Sequence, residues 1–203
     1  MSLGLVLLGL AALWAATRTL TRVSGPLAAT PLGQVSDFRL TNQLGAAVTP
    51  ETLRGQVWVA NVIFTRCPGP CASLTRLMGE VQSDLEDQPE VRLVSLTSDP
   101  EFDTPAVLGE YARKFQADPG RWWFLTGTGQ EVRRVAVHDL LLVVLEKRPE
   151  DRSVPDDLFI HSTLLVVVDG QGRLRASVEG LEPGAREKVV AAVRRLVQEP
   201  SIP

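Results

Sequence analysis

The strongest constraint on the fold is a run of eight residues with hardly a polar side chain, Val57-Trp58-Val59-Ala60-Asn61-Val62-Ile63-Phe64. A strand with one wet face alternates apolar and polar residues, whereas a continuous run must be covered on both sides. The chain supplies the cover. Leu74, Leu77, Met78, Val81 and Leu85 recur at helical spacing directly after the run, and residues 91–97 form a second β-branched stretch. A helix is predicted over 104–115, with Val107, Leu108, Tyr111 and Phe115 turned inward.

The pattern continues to alternate. Residues 122–125 read as a short third strand, with the Trp122-Trp123-Phe124 cluster as core packing. A helix follows from Gln130, and 141–145 either continues it or forms a strand. Residues 160–168 read as one strand, turned at Asp169-Gly170-Gln171-Gly172 into another over 173–178, a hairpin. Pro183 opens a last helix with Val189, Val190, Val193 and Leu196 on its apolar face. Alternating βαβ units that end in a hairpin and a helix predict an α/β fold, a thioredoxin-like α/β sandwich.

In the 203-residue chain, 44% of residues are hydrophobic and 22% charged, the composition of a globular domain. A net charge of -3 gives no basis for nucleic-acid binding. Residues 1–23 are read as an N-terminal membrane anchor or signal segment. Its apolar run from Leu3 to Ala16 spans roughly 21 Å as a helix, short of the roughly 30 Å hydrocarbon core unless it continues through Leu20 with Arg18 and Arg22 snorkelling. We read it as an uncleaved anchor with the domain outside the cytoplasm, on the periplasmic side of the inner membrane in a Gram-negative cell. The placement of Arg18 and Arg22 after the run opposes that orientation. Residues 24–34 (SGPLAATPLGQ) read as a linker, and 35–203 as one domain.

The chain has two cysteines, Cys67 and Cys71, in Cys67-Pro68-Gly69-Pro70-Cys71. That count excludes a disulfide-stapled scaffold and a four-cysteine zinc module. The pair lies between the buried strand and the amphipathic helix, and in open α/β sheets ligands bind outside the carboxyl ends of the strands. Pro70 can serve as the first helical residue, which places Cys71 in the first turn, where unpaired N–H groups favour anions. Arg66 and Arg76 add positive charge, and together these effects favour the thiolate. Three intervening residues allow the sulfurs to close on each other or around one soft ion such as Cu(I) or Zn(II); two small buried hydrophobes are the bland alternative. His161 precedes the strand whose entrance faces the cysteine loop in a thioredoxin fold. Position alone leaves open a hydrogen-bonded loop residue or a third ligand. His138, among Val135, Val137 and Leu140, is read as structural.

These residues resemble the SCO/SenC family, membrane-tethered thioredoxin-like proteins associated with copper delivery to cytochrome c oxidase. The likeness runs from about Leu32 onward through four ordered landmarks. Asn61 to Cys71 resembles the family's strand and C-P-x-x-C. Ser98-Asp99-Pro100-Glu101-Phe102-Asp103-Thr104-Pro105 resembles its S-x-D-P-x-x-D-T-P. Trp123-Phe124-Leu125-Thr126-Gly127 resembles its W-x-x-L-T-G, and His161-Ser162 its histidine–strand segment. The resemblance implies Cys67, Cys71 and His161 as copper ligands, with Asp99, Asp103 and Thr104 ordering the next loop and capping its helix. Three positions depart from the pattern: Ala72 where many members have proline, Gly69 and Pro70 where many have an acidic residue, and Ile160 where many have aspartate. The ligands remain, but a less acidic site would weaken Cu(II) binding or shift the balance toward thiol chemistry.

The leading function so implied is a copper chaperone that takes copper from a donor protein and delivers it to the CuA site of cytochrome c oxidase subunit II. The alternative is a thiol–disulfide oxidoreductase in which Cys67 and Cys71 cycle between dithiol and disulfide, keeping target cysteines reduced or countering oxidative stress. A peroxiredoxin-like peroxidase ranks third, and a purely structural domain last.

Overall fold

The computed structural model describes residues 30–199. The proposed anchor and residues 24–29 of the linker lie outside the described residues, and among those described no helix is long and apolar enough to cross a membrane. The chain enters through three short strands, β1 (Gly33–Gln34), β2 (Leu40–Asn42) and β3 (Ala47–Val48), and a single helical turn, α1 (Pro50–Leu53). The βα units follow: β4 (Trp58–Ile63), α2 (Cys71–Asp84), β5 (Arg92–Thr97), α3 (Pro105–Lys114), β6 (Trp122–Thr126) and α4 (Gly129–Arg134). A π-turn over Val135–Asp139 extends α4. The remainder is β7 (Val144–Glu146), β8 (Phe159–His161), β9 (Leu164–Val168), β10 (Arg173–Glu179) and α5 (Ala185–Val197).

Eight strands form one sheet in the order β1-β10-β9-β4-β5-β6-β2-β3. β4, β5 and β6 run parallel, and β9 lies antiparallel against β4. Every residue of β4 is buried. Its side chains alternate between two cores, as a strand of period 2 between two layers must. Val59 and Ile63 pack with Leu74, Met78, Leu108 and Val189 from α2, α3 and α5. Trp58, Ala60 and Val62 pack with Leu53, Val132, Val135 and Leu140 from α1 and the α4 side. This is the expected thioredoxin-like sandwich. Asn61, the one polar residue in the run, accepts a hydrogen bond from Ser95 Oγ at 2.8 Å, and Ser95 accepts one from Trp122 Nε1 at 3.0 Å. The buried amide oxygen is thereby satisfied within the sheet.

Four expectations need adjustment. Gly33 and Gln34, placed in the linker by composition, pair with β10 and begin the sheet. In α3 the buried residues are Leu108, Tyr111 and Ala112, with Val107 and Phe115 only partly covered. The stretch 141–145 does not continue the helix. Leu140 ends it, Leu141 takes a left-handed conformation (φ 57°), and the strand starts at Val144.

The fourth adjustment concerns 160–168, which is not one strand. Ser162 N–H donates to Val143 O at 2.8 Å and Ser162 Oγ accepts from Leu164 N at 3.3 Å. Those bonds divert the chain from the sheet ladder. β8 pairs with β7 in a separate ribbon, and β9 alone joins the main sheet.

The β9–β10 hairpin closes as expected, with Gly172 at φ 76° in the turn. Immediately after β10, Gly180 meets the chain that leaves β8. A methyl group there would lie 2.6 Å from Leu165 Cδ1, 2.6 Å from Leu74 Cδ2 and 2.7 Å from the Thr163 carbonyl oxygen. The side chains could yield, but the backbone oxygen cannot without moving β9. Gly180→Ala is expected to lose about 1–3 kcal/mol as overpacking, measured as a lower urea midpoint with an unchanged slope.

Candidate metal centre

The cysteine loop starts where β4 ends. Cys67 N–H donates to Phe64 O at 3.2 Å, which folds the loop back on the strand end. Pro70 is the cap of α2 (φ -75°, ψ -13°), one position earlier in role than expected, and Cys71 is the first helical residue. Cys71 is buried and Cys67 half-buried, and neither is in a disulfide. The Thr75 hydroxyl donates to the Cys71 carbonyl at 2.8 Å and pairs with Tyr111 Oη at 3.0 Å, anchoring the first turn of α2 to α3.

His161 arrives from the other end of the sequence, on the last residue of β8. Its Nε2 lies 3.0 Å from Cys71 Sγ and 3.9 Å from Cys67 Sγ. Its Nδ1 lies 3.0 Å from the Ser162 carbonyl oxygen. That oxygen can only accept, so Nδ1 carries a proton and Nε2 is the nitrogen that faces the sulfurs. The Phe64 ring meets the imidazole edge-on at 5.7 Å between centroids and meets Phe159 at 5.3 Å. The three donor atoms lie within 4.8 Å of one another, and among the described residues they are the one such group that could hold an ion. Cys67 and His161, but not the buried Cys71, line a pocket of about 470 Å³ together with Pro68, Pro70, Val154 and Ile160.

The two thiols are electrostatically unlike. The Cys71 thiol, then His161 and the backbone N–H groups of Cys71 and Gly69, hold the Cys67 sulfur as a thiolate against the opposing effect of burial, and its pKa falls to about 4. The Gly69 N–H is 3.3 Å from that sulfur. Cys71 moves the other way, because its hydrogen bond to Cys67, its burial and the charge on Cys67 all keep it protonated.

The arginines do not act as expected. Arg66 pairs instead with Asp99 (2.7 Å) and Asp156 (3.2 Å), and Arg76 donates to Ser73 Oγ at 3.0 Å. Local donors therefore replace them in favouring the thiolate. His138 is exposed on the π-turn and stands outside the three-donor group.

Asp103, read as a loop-ordering residue, is fully buried. It accepts hydrogen bonds from Thr65 N at 3.1 Å and from the hydroxyls of Thr65 and Thr97. Burial pushes its carboxyl above the ordinary range. It thus joins the cysteine loop to the end of β5, and Thr104 caps α3 by accepting from Val107 N. Sequence reasoning did not single out Phe159 or Asp156. Phe159 had a usable signal, since it lies two residues before His161 and so on the same face of the strand. Asp156 had none.

Fold and site together define a thioredoxin-like protein with two cysteines and a histidine converged at the carboxyl end of its central strand. The family model described as SCO1/SenC matches residues 29–198, and the chain belongs to that family. The SCO1 protein homolog of Bacillus subtilis is 31% identical over 163 residues, covering 79% of this chain and 81% of that protein. ScoI of Bradyrhizobium japonicum, solved with copper bound, is 26% identical with a TM-score of 0.67, covering 80% of this chain and 99% of that one. BsSco, described as a member of the Sco family of cytochrome c oxidase assembly proteins with a disulfide switch, is 29% identical with a TM-score of 0.70. It covers 83% of this chain and 96% of its own.

In the reduced, metal-free protein Cys67 is expected to react first with iodoacetamide. A lowered pKa keeps the thiolate populated as pH falls, so the rate should vary by no more than about twofold between pH 6 and pH 8. Cys71 should stay unmodified until the protein unfolds. Mass mapping of the alkylated peptides checks both, and a tenfold rise per pH unit at Cys67 would contradict the assignment.

Proposed function

We propose that this chain binds copper through Cys67, Cys71 and His161 and acts as a chaperone in cytochrome c oxidase assembly. It receives the ion from a copper donor protein and delivers it to the CuA site of oxidase subunit II. The observation that carries this reading is the approach of His161 Nε2 to both sulfurs, 3.0 and 3.9 Å. Two thiolates and an imidazole are a soft donor set of the kind that selects Cu(I). Copper bound to the Bradyrhizobium relative, which shares the fold, supports the choice of ion. The apolar run from Leu3 to Ala16 supports a membrane anchor, and the chemistry of the cysteine pair, against the placement of Arg18 and Arg22, supports a domain outside the cytoplasm.

Each residue has a definable part in that function. The Ser162 carbonyl orients the imidazole so that Nε2 faces the sulfurs. Phe64 meets the ring edge-on and is itself backed by Phe159, and the open pocket that His161 lines admits an incoming ligand. Gly69, Pro70 and Ile160 bring no carboxylate to the mouth of the site, and Asp157, which lines the same pocket, is held by Lys147 at 2.7 Å, which favours Cu(I) over Cu(II).

Anaerobic Cu(I) titration of the full-length chain against a competing chelator tests the reading. Wild type should bind one ion. Cys67→Ser, Cys71→Ser and His161→Ala should each lose at least about 10- to 100-fold in affinity, the loss already usual when an outer partner of a metal ligand is removed. Unchanged tight binding in all three would sink the site. Delivery is tested by mixing the loaded chain with an isolated CuA domain and measuring copper in each after separation.

A second reading is favoured by the contrast between the two thiols. A half-buried thiolate beside a buried protonated partner suits attack and resolution. Cys67 would attack a target disulfide, Cys71 would displace the target's second sulfur, and the target would leave as a dithiol while Cys67 and Cys71 form a disulfide. The disulfide switch described for BsSco supports it. Reductase activity that survives His161→Ala but is lost in either cysteine variant would establish this reading over the first.

A further inference from the structure

The three donors come from two separately built parts. Cys67 and Cys71 belong to the loop that joins β4 to α2 in the main sheet. His161 ends the β7–β8 ribbon, which is a sheet of its own. The backbone ladder of the main sheet resumes only at Leu164, three residues after His161, so side chains that bridge the two parts help set how far the imidazole stands from the sulfurs.

One bridge is apolar, the contact of Phe64 with Phe159. Phe64 also meets His161 itself; the polar bridge is Arg66, next in sequence to Cys67. One guanidinium nitrogen donates to Asp99 at 2.7 Å, in the turn after β5. A different nitrogen donates to Asp156 at 3.2 Å, in the segment that leads into β8 and His161. The face of the guanidinium lies 4.1 Å from the centroid of Phe102, which limits its rotation. The Arg66 side chain is 31% exposed, that of Asp99 10% and that of Asp156 52%. The Asp99 arm is thus the sheltered anchor, and the Asp156 arm reaches out to the ribbon.

We infer that Arg66 is a positioning residue: it clamps the segment bearing His161 to the loop bearing Cys67 and Cys71, and so holds the imidazole within reach of the sulfurs. The inference rests on the three-donor reading above. It requires a fork and not merely a charge. Two nitrogens of one rigid plane serve two carboxylates on two loops, which the single nitrogen of lysine cannot do. An Arg66 that acted by charge on the Cys67 thiolate would instead be replaced well by lysine.

The test is Cu(I) affinity of the full-length chain in a double-mutant cycle. Arg66→Ala should weaken binding about three- to tenfold, the scale of a partly exposed ion pair reinforced by an aromatic stack. Arg66→Lys should fall nearly as far. Asp156→Asn, at an exposed position that leaves the core untouched, should lose about two- to fivefold in a protein with wild-type thermal stability. In a His161→Ala background Arg66→Ala should change affinity by less than about 1.5-fold, because the group it positions is gone. X-ray absorption of the copper-loaded Arg66→Ala chain should show a reduced nitrogen contribution with both sulfurs retained.

Wild-type affinity in Arg66→Lys would assign the role to charge and overturn the clamp. An equal loss in the His161→Ala background would also overturn it. No loss in Arg66→Ala, while His161→Ala still loses at least tenfold, overturns the clamp and leaves the site standing. No loss in His161→Ala itself overturns both.

Discussion

Everything in this domain depends on burying one strand from both sides. β4 has no wet face, so the chain must build a layer of helices over each surface of the sheet it nucleates. α2, α3 and α5 cover one side, while α1 and the α4 side cover the other. A strand so enclosed is held rigidly along its length, and its carboxyl end becomes a precise place to start a loop. The cysteine loop begins there. The same burial accounts for the Trp122–Ser95–Asn61 chain of hydrogen bonds, since the oxygen of a single amide within an otherwise apolar run must find its donor inside the sheet.

The site has two grades of order. The sulfurs sit on the rigid part: Cys71 is the first residue of a long helix whose first turn is tied through Thr75 to Tyr111, and Asp103 ties Thr65 to the end of β5. The imidazole sits on a short two-stranded ribbon, held to the rest by an aromatic contact and an arginine fork. A two-stranded ribbon has little stability of its own. Under the proposed role in copper delivery, placing one of three donors on the weaker element would give a route for release that leaves the core undisturbed.

The electrostatics show why charge counting along a sequence is a poor guide to a site. Arg66 stands beside Cys67 in the chain and Arg76 one turn into the helix, yet carboxylates claim the first and a serine the second. Cys67 is held as a thiolate by the second thiol, the imidazole and two backbone N–H groups. Hydrogen bonds that reach the sulfur, such as that from Gly69 N at 3.3 Å, outweigh a cation that points elsewhere, because the energy of such contacts falls steeply with distance and angle.

The apolar run, the helical stripes and the glycine-closed hairpin were legible in the sequence because each follows from a local period that the backbone imposes. The sandwich followed from them, and the cysteine loop was placed at the end of β4 by the same reasoning. The break at Ser162 was not legible. The run Ile160 to Val168 has one continuous strand propensity, and only the bonds of Ser162 to Val143 and Leu164 divert it.

The union of Cys67, Cys71 and His161 was legible only as what the family resemblance implies, since position alone left the part of His161 open. The sequence by itself determined that two soft donors lie at the carboxyl end of a buried strand. Tertiary structure decided that an imidazole 90 residues away in sequence from Cys71 stands 3.0 Å from its sulfur, and that Arg66 faces Asp99 and Asp156. Periodicity reports which face of an element is apolar, whereas the meeting of side chains so distant in sequence depends on how the elements pack.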